Sequence, residues 1–238
     1  MILARTAAMA FNRFADKIID AKNERTNLRE IPSGVIKPNH ALWLVIFCSV
    51  AFVLICWFIN PLVFQLSPIA LLVVLGYSYT KRFTSLSHLV LGLGLSLAPL
   101  GSYLVVNPHF HLLPLLLSGA VLTWVAGFDV IYAMQDADFD KENKLHSLPT
   151  SFGKKNALLI SSFLHLISIG FMACFYWMGG FGNWFIIGLI IFSALLIYQH
   201  TLVKAHDLSK VNLAFFTLNG IASIVFAVFV LLDFYFHF

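Results

Sequence analysis

Apolar runs of roughly 18–25 residues, the length a helix needs to cross ~30 Å of hydrocarbon, follow one another from residue 41 to the chain end with short polar breaks between them. They predict seven membrane spans, over residues 41–59, 62–79, 88–106, 110–134, 156–178, 182–199 and 212–235. A shorter helix over 1–20 comes first. Its apolar part, ending at Asn12, is only ~12 residues long and marginal for spanning. The abrupt start leads to the expectation that the chain is an N-terminally incomplete fragment or that its true start lies upstream. Three breaks, Asn60-Pro61, Asn107-Pro108-His109 and the glycine-rich 179–183, are tight turns without charge.

The other breaks are basic. Segments 13–40, 80–87, 135–155 and 200–211 hold fourteen of the fifteen lysines and arginines, Arg5 being the exception. Basic residues on alternate loops are the signature of a serpentine topology with those loops in the cytoplasm. The expected setting is therefore the cell inner membrane, crossed several times, with the C-terminus outside.

Composition agrees. Hydrophobic residues make up 60% of the chain, charged residues 11%, and the mean hydropathy is +0.87, whereas soluble domains carry about 25% charged residues. A cleaved leader cannot explain runs that fill the chain. The net charge of +4 is scattered, without an aromatic-interleaved basic patch, so no nucleic-acid partner is expected. Cys48, Cys56 and Cys174 lie inside apolar runs and read as packing residues.

Ten of the eleven acidic residues lie on the basic side or just within it. Asn12, Asp16 and Asp20 are spaced i, i+4, i+8, one stripe of a helix. Asp129, Asp136 and Asp140, at i, i+7, i+11, form a second stripe with Tyr132 beside them, while Asp138 points elsewhere. Stacked carboxylates repel, and a cation is the usual compensation. Two such stripes facing each other would make an all-oxygen cage suited to Mg²⁺ with positions open to phosphate. The plainer alternative is a pair of solvated helix ends. Asp129 argues against it, because it lies inside the apolar run 125–134, where a carboxylate is costly and functional by default. Tyr77 and Lys81, at i, i+4, end a span. Lys81 can contact a diphosphate, as can Arg5, although interfacial anchoring alone accounts for a tyrosine and a lysine there. Acids, bases and a greasy surround together imply a substrate with a charged head and an apolar tail, for which a Mg²⁺-bound allylic diphosphate fits.

Taken in order, these motifs resemble the UbiA superfamily of membrane-embedded aromatic prenyltransferases. Asn12, Asp16 and Asp20 match its NDxxDxxxD, and Asp136 and Asp140 its DxxxD with Asp129 upstream. Tyr77 and Lys81 match its YxxxK, followed by Arg82-Phe83-Thr84. Arg25-Thr26, Arg29 and Pro32-Ser33-Gly34 are similar to its RTxxRPxPSG. The resemblance implies an all-α integral membrane fold, a multi-helix bundle around a central cavity, here lacking the first helix, as one prenyltransferase domain over 1–238. It implies Asn12, Asp16, Asp20, Asp136 and Asp140 as ligands of Mg²⁺, and Asn12, Arg5, Lys81, Arg82, Arg29 and Tyr132 as substrate contacts. Asp129, Tyr77 and Lys81 would be catalytic. The substrates would be a polyprenyl diphosphate and an aromatic acid in the lipid bilayer, 4-hydroxybenzoate or, by likeness of residues 6–13 and 128–136 to a menaquinone-linked subgroup, 1,4-dihydroxy-6-naphthoate. Ubiquinone or menaquinone synthesis would be the setting. Arg13 departs from the motif's aspartate and Glu30 from its proline. A transporter and a truncated non-catalytic remnant are the competing readings. The first would favour internal repeats and midplane acids, which this sequence does not display.

Overall fold

The computed structural model describes residues 1–236. Among these residues regular structure is helical, apart from a single bridge between Lys204 and Asp207. The helices are α1 (Ile2–Ala15), α2 (Lys17–Lys22), α3 (Pro38–Ile59), α4 (Pro61–Thr80), α5 (Ser87–Val106), α6 (Leu112–Ala133), α7 (Ala137–Glu142), α8 (Leu148–Gly179), α9 (Asn183–Leu202) and α10 (Asn219–Tyr235). A 3₁₀ turn, Met134–Asp136, joins α6 to α7, and a π-helical turn, Leu213–Leu218, leads into α10. Among the described residues seven helical stretches are long and apolar enough to cross a membrane, and each overlaps one of the seven predicted spans.

Two spans differ from the sequence pattern. The fifth was expected to begin at 156, but helix starts at Leu148, where Ser147 and Thr150 form a reciprocal capping box. Gly153 then adopts φ 78°, ψ 156°, a conformation open to glycine and strained for other residues. The first turn is thus a separate piece, and the polar Lys154, Lys155 and Asn156 hide it from a hydropathy reading. The second difference concerns the acid stripe after α6. The 3₁₀ turn winds three residues about 20° further each than an α-helix, so Asp136 is swung about 60° from where an unbroken helix would place it.

Contacts divide the chain into two compact units, Met1–Phe83 with Gly101–Phe110, and Thr84–Leu100 with the chain from His111 onward. In the first, α1 packs on α3 and α4. Ala41, Val45 and Cys48 of α3 are buried at i, i+4, i+7, the stripe expected of a helix packed along one face. Asn60 closes the α3–α4 turn from both sides. Its Oδ1 accepts the Val63 N–H at 2.9 Å, its Nδ2 donates to the Leu104 carbonyl at 2.9 Å, and Pro61 opens α4.

In the second unit α6 and α8 make the most extensive helix pair. Small residues allow it, as is usual where apolar lipid offers no hydrophobic drive for helix association. Ser161 and Ser168 of α8 donate to the Gly127 and Ala120 carbonyls of α6 at 2.6 and 2.8 Å. A β-carbon at Gly127 would fall 2.3 Å from the His165 ring. The one acid far from the basic loops, Asp233, is buried on α10 and accepts the Gly182 and Phe185 N–H groups at 2.8 and 3.2 Å. It satisfies donors at the start of α9 that have no partner within their own helix. In both units large apolar side chains face outward: Trp43, Trp57 and Phe58 in the first, Leu166 and Trp177 in the second. Lipid, rather than water, is the solvent such surfaces require.

Candidate active site

The first acid motif lies in the first unit. Asp16 breaks the helix between α1 and α2 (φ −93°, ψ 5°), yet the i→i−4 pattern runs through it. The Asp16 N–H bonds to the Asn12 carbonyl at 2.9 Å and the Asp20 N–H to that of Asp16 at 2.7 Å. Asn12, Asp16 and Asp20 therefore keep the common stripe the spacing predicted.

Asp16 is 2% exposed. A carboxylate so placed needs charge or hydrogen bonds around it, and the end of α4 supplies both. Lys81 Nζ lies 3.3 Å from its Oδ2 and Arg82 Nη2 3.3 Å from its Oδ1. Asn12 Nδ2 donates to Oδ2 at 3.2 Å and reaches Ser78 Oγ at 3.5 Å. Arg82 also donates to the Ala15 carbonyl at 2.6 Å and lies over the Tyr79 ring. Tyr79, which no motif marks, meets Phe11 edge to face and so helps to fasten α4 to α1.

Asp20 takes a different partner. Arg29 Nη1 donates to both of its oxygens, at 2.8 and 2.9 Å, and Thr26 Oγ1 donates to its carbonyl. The Arg-Thr…Arg loop is thereby pinned to the acid stripe. Tyr77 is half-buried, and its carbonyl accepts Thr80 Oγ1 at 2.6 Å. Arg5 is exposed, about two turns before Asn12 on α1. The two departures from the motif pattern meet: Arg13 Nε lies 3.7 Å from Glu30 Oε2. Where the pattern has an aspartate and a proline, this chain has a cation and an anion that compensate each other.

The second motif lies in the second unit. Asp136 precedes α7 as its N-cap residue, and Asp140 sits one turn on, buried. Asp138 is set apart from them, exposed and paired with Lys154 at 3.0 Å. Asp129 on α6 is half-buried, and its Oδ2 lies 2.7 Å from His88 Nδ1, within hydrogen-bond distance. Tyr132 stacks on Phe215 (ring centroids 4.0 Å apart), which meets Phe128, which in turn meets Trp124. This aromatic wall depends on the π-helical turn, a distortion common at functional sites. Asn219 Nδ2 satisfies the turn's Ala214 and Phe215 carbonyls, and its Oδ1 accepts Trp124 Nε1 at 3.1 Å. Asn219, His88 and the Phe215 wall escape sequence reading. A polar residue inside an apolar span was the available signal for Asn219.

Among the described residues no three His, Cys, Asp or Glu side chains converge as a metal site. The donor chemistry nevertheless suits a hard cation. Each motif offers oxygen donors alone, and Mg²⁺ is ordinarily held by one or two carboxylates, waters and substrate phosphates instead of a full protein cage.

Helices of this length, with buried carboxylates and paired bases at their ends, define a multi-pass membrane protein with charged groups gathered at the helix ends. Comparison with known proteins narrows that class. The chain belongs to the UbiA prenyltransferase family, whose model matches residues 1–221, and it is a prenyltransferase. It is 30% identical over 232 residues to a 4-hydroxybenzoate octaprenyltransferase of Aromatoleum aromaticum, covering 97% of this chain and 78% of that one. A 4-hydroxybenzoate octaprenyltransferase of Herminiimonas arsenicoxydans is 29% identical, with 94% and 79% covered. The apo structure of a UbiA homologue from Aeropyrum pernix K1 matches with a TM-score of 0.89 at 29% identity, over 98% of this chain and 86% of that one. A UbiA homologue from Archaeoglobus fulgidus, bound to DMAPP and Mg²⁺, shares the fold, with a TM-score of 0.63 at 18% identity and 95% and 87% covered.

Proposed function

We propose that the protein transfers a polyprenyl group from its diphosphate to an aromatic acid, in a Mg²⁺-dependent reaction at the cytoplasmic face of the inner membrane. The observation that carries this reading is the cluster of Lys81, Arg82 and Asn12 on the buried Asp16. It combines a metal-type carboxylate with two cations able to hold phosphate. The relatives named as 4-hydroxybenzoate octaprenyltransferases and the homologue with DMAPP and Mg²⁺ support the substrate pair. 4-Hydroxybenzoate and 1,4-dihydroxy-6-naphthoate are the two acceptors to compare, and ubiquinone or menaquinone synthesis is the corresponding setting. The basic loops support the orientation.

Asn12, Asp16, Asp136 and Asp140 are the proposed Mg²⁺ ligands, and Asp20, held by Arg29, assists by fixing the stripe. Bound Mg²⁺ would supply charge to stabilise the leaving diphosphate. Lys81 and Arg82, with Arg5 at the periphery, neutralise diphosphate oxygens. The Tyr132–Phe215 wall offers π-faces and excludes water near the allylic carbon. As the C1–O bond breaks, its electron pair leaves on the diphosphate, and a ring carbon of the acceptor bonds to C1. Asp129, with Tyr77 assisting, orients the acceptor hydroxyl and receives its proton. The substituted ring carbon then loses its own proton to the released diphosphate, and the phenolate oxygen is reprotonated by Asp129.

The test is prenyl transfer by the purified chain in detergent with Mg²⁺ and geranyl diphosphate, offering both acceptors in parallel and identifying product by mass. Product that disappears with chelator and in Asp16→Ala and Asp136→Ala supports the reading. Full turnover in chelator, or in both variants, overturns it.

A further inference from the structure

His88 belongs to no motif, yet it is 3% exposed at the start of α5 and bonded through both ring nitrogens. Nδ1 lies 2.7 Å from Asp129 Oδ2, and Nε2 lies 3.3 Å from the backbone nitrogen of Leu148. Leu148 is the first residue of α8, after the capping Ser147. A first-turn N–H has no carbonyl within its own helix and must find an acceptor elsewhere. A backbone N–H can only donate, so Nε2 carries no proton and the ring proton is assigned to Nδ1. That proton is donated to Asp129. The helix start thereby selects the tautomer, and the tautomer sets the direction of the bond to the carboxylate, as outer partners do for functional histidines and carboxylates elsewhere.

We infer that His88 is a positioning residue for prenyl transfer. Held as the Nδ1–H tautomer by the Leu148 N–H, it fixes the Asp129 carboxylate as a hydrogen-bond acceptor and directs Oδ1 to the hydroxyl of the aromatic substrate. The inference rests on the acceptor-orienting role proposed for Asp129. It also gives the capping box of α8 a purpose. Ser147 and Thr150 satisfy each other at the same helix start, which leaves the Leu148 N–H for His88.

Glutamine is the informative replacement, because its amide can donate to Asp129 and its carbonyl can accept from Leu148. Leucine can do neither. Kinetics with geranyl diphosphate, Mg²⁺ and each of the two acceptors should show kcat/KM for the acceptor lowered roughly 10–100-fold in His88→Leu. KM for geranyl diphosphate should stay unchanged, and His88→Gln should recover most of the loss. Wild-type acceptor kinetics in His88→Leu, or an equal loss in both variants, would overturn the inference. If His88→Leu does not fold, two measurements still decide. One is His88→Gln kinetics. The other is the ¹⁵N spectrum of histidine-labelled protein, with His88 assigned by its disappearance in His88→Gln. A protonated Nδ1 and bare Nε2 are expected, and a protonated Nε2 would contradict the assignment. Asp129→Asn separates the two levels of the argument. If it retains the wild-type rate, the role proposed for Asp129 fails whatever His88 does. If it loses activity while His88→Leu does not, only the inference about His88 fails.

Discussion

Asp16 and Asp129 are both carboxylates withdrawn from water, and their surroundings compensate them in opposite ways. Asp16 is met by full charges, Lys81 and Arg82, with an amide alongside. Asp129 is met by one imidazole donor whose own geometry is set by a helix start. Charge compensation yields to a competing ion. A diphosphate can draw Lys81 and Arg82 to itself, because both are about one-third exposed, and their side chains are long. A single directed hydrogen bond does not respond to salt or substrate in that way. On the proposed function, the first unit would carry a site that exchanges partners, and the second a site that holds one orientation. This difference matches a division of labour between binding a diphosphate and orienting an acceptor.

The most severe way to break the comparison is to remove Asp16. Asp16→Ala should lower kcat by about 10²-fold or more and leave two neighbouring cations without their anion. Binding of inorganic diphosphate without Mg²⁺, measured by calorimetry, should be retained or strengthened, since Lys81 and Arg82 no longer have a competitor. Loss of that binding would show that Asp16 organises the bases instead of restraining them. Next in size is Arg29. It bonds both oxygens of Asp20, which is 4% exposed, so Arg29→Ala strands a buried carboxylate. A loss of ~2–4 kcal/mol is expected, below the full range for buried pairs because Arg29 itself is one-quarter exposed. Denaturant titration in detergent measures it, and Arg29→Ala with Asp20→Asn should recover much of it.

In the second unit the corresponding break is steric. Gly127→Ala would place a β-carbon 2.3 Å from the His165 ring, across a pair of helices joined by the Ser161 and Ser168 bonds. About 1–3 kcal/mol of destabilisation is expected, and thermal unfolding should show the same loss at low and at high salt. By contrast, high salt should erode the stability that Lys81 and Arg82 lend to the first unit. A salt dependence equal in both would remove the distinction drawn between them.

The seven spans were legible because lipid imposes one requirement, a long apolar helix, that composition meets directly. The Asn12–Asp16–Asp20 stripe was legible because the i→i−4 bonds run through the break at Asp16. What escaped was set by tertiary context. The second acid stripe is rotated by a 3₁₀ turn whose residues, Met134, Gln135 and Asp136, carry no helix-breaking signal. His88 gains its meaning from Leu148, sixty positions away. Asn219 serves carbonyls exposed by a π-helical turn that no local propensity announces. Arg82 was visible as a base, but its perch on Tyr79 was not.

The smallest effect concerns the two departures from the motif pattern. Arg13 and Glu30 approach to 3.7 Å, with side chains 32% and 57% exposed. Exposed pairs of this kind contribute about 0–1 kcal/mol, so Arg13→Ala and Glu30→Ala should each be mild. The informative experiment is the double-mutant cycle. Coupling of at most ~0.5 kcal/mol in stability is expected, together with unchanged prenyl-transfer kinetics, because Asp16 is held by Lys81, Arg82 and Asn12. Arg13→Asp, which recreates the motif's aspartate, should be worse than Arg13→Ala by a small margin, since it sets two anions against each other unless Glu30 is replaced by proline as well. If Arg13→Asp alone instead raises activity, Arg13 weakens the acid stripe it interrupts, and the ion pair with Glu30 is incidental to the difference. If it lowers kcat well beyond its effect on stability, the arginine contributes directly to diphosphate binding, and the first unit's exchangeable cations number three.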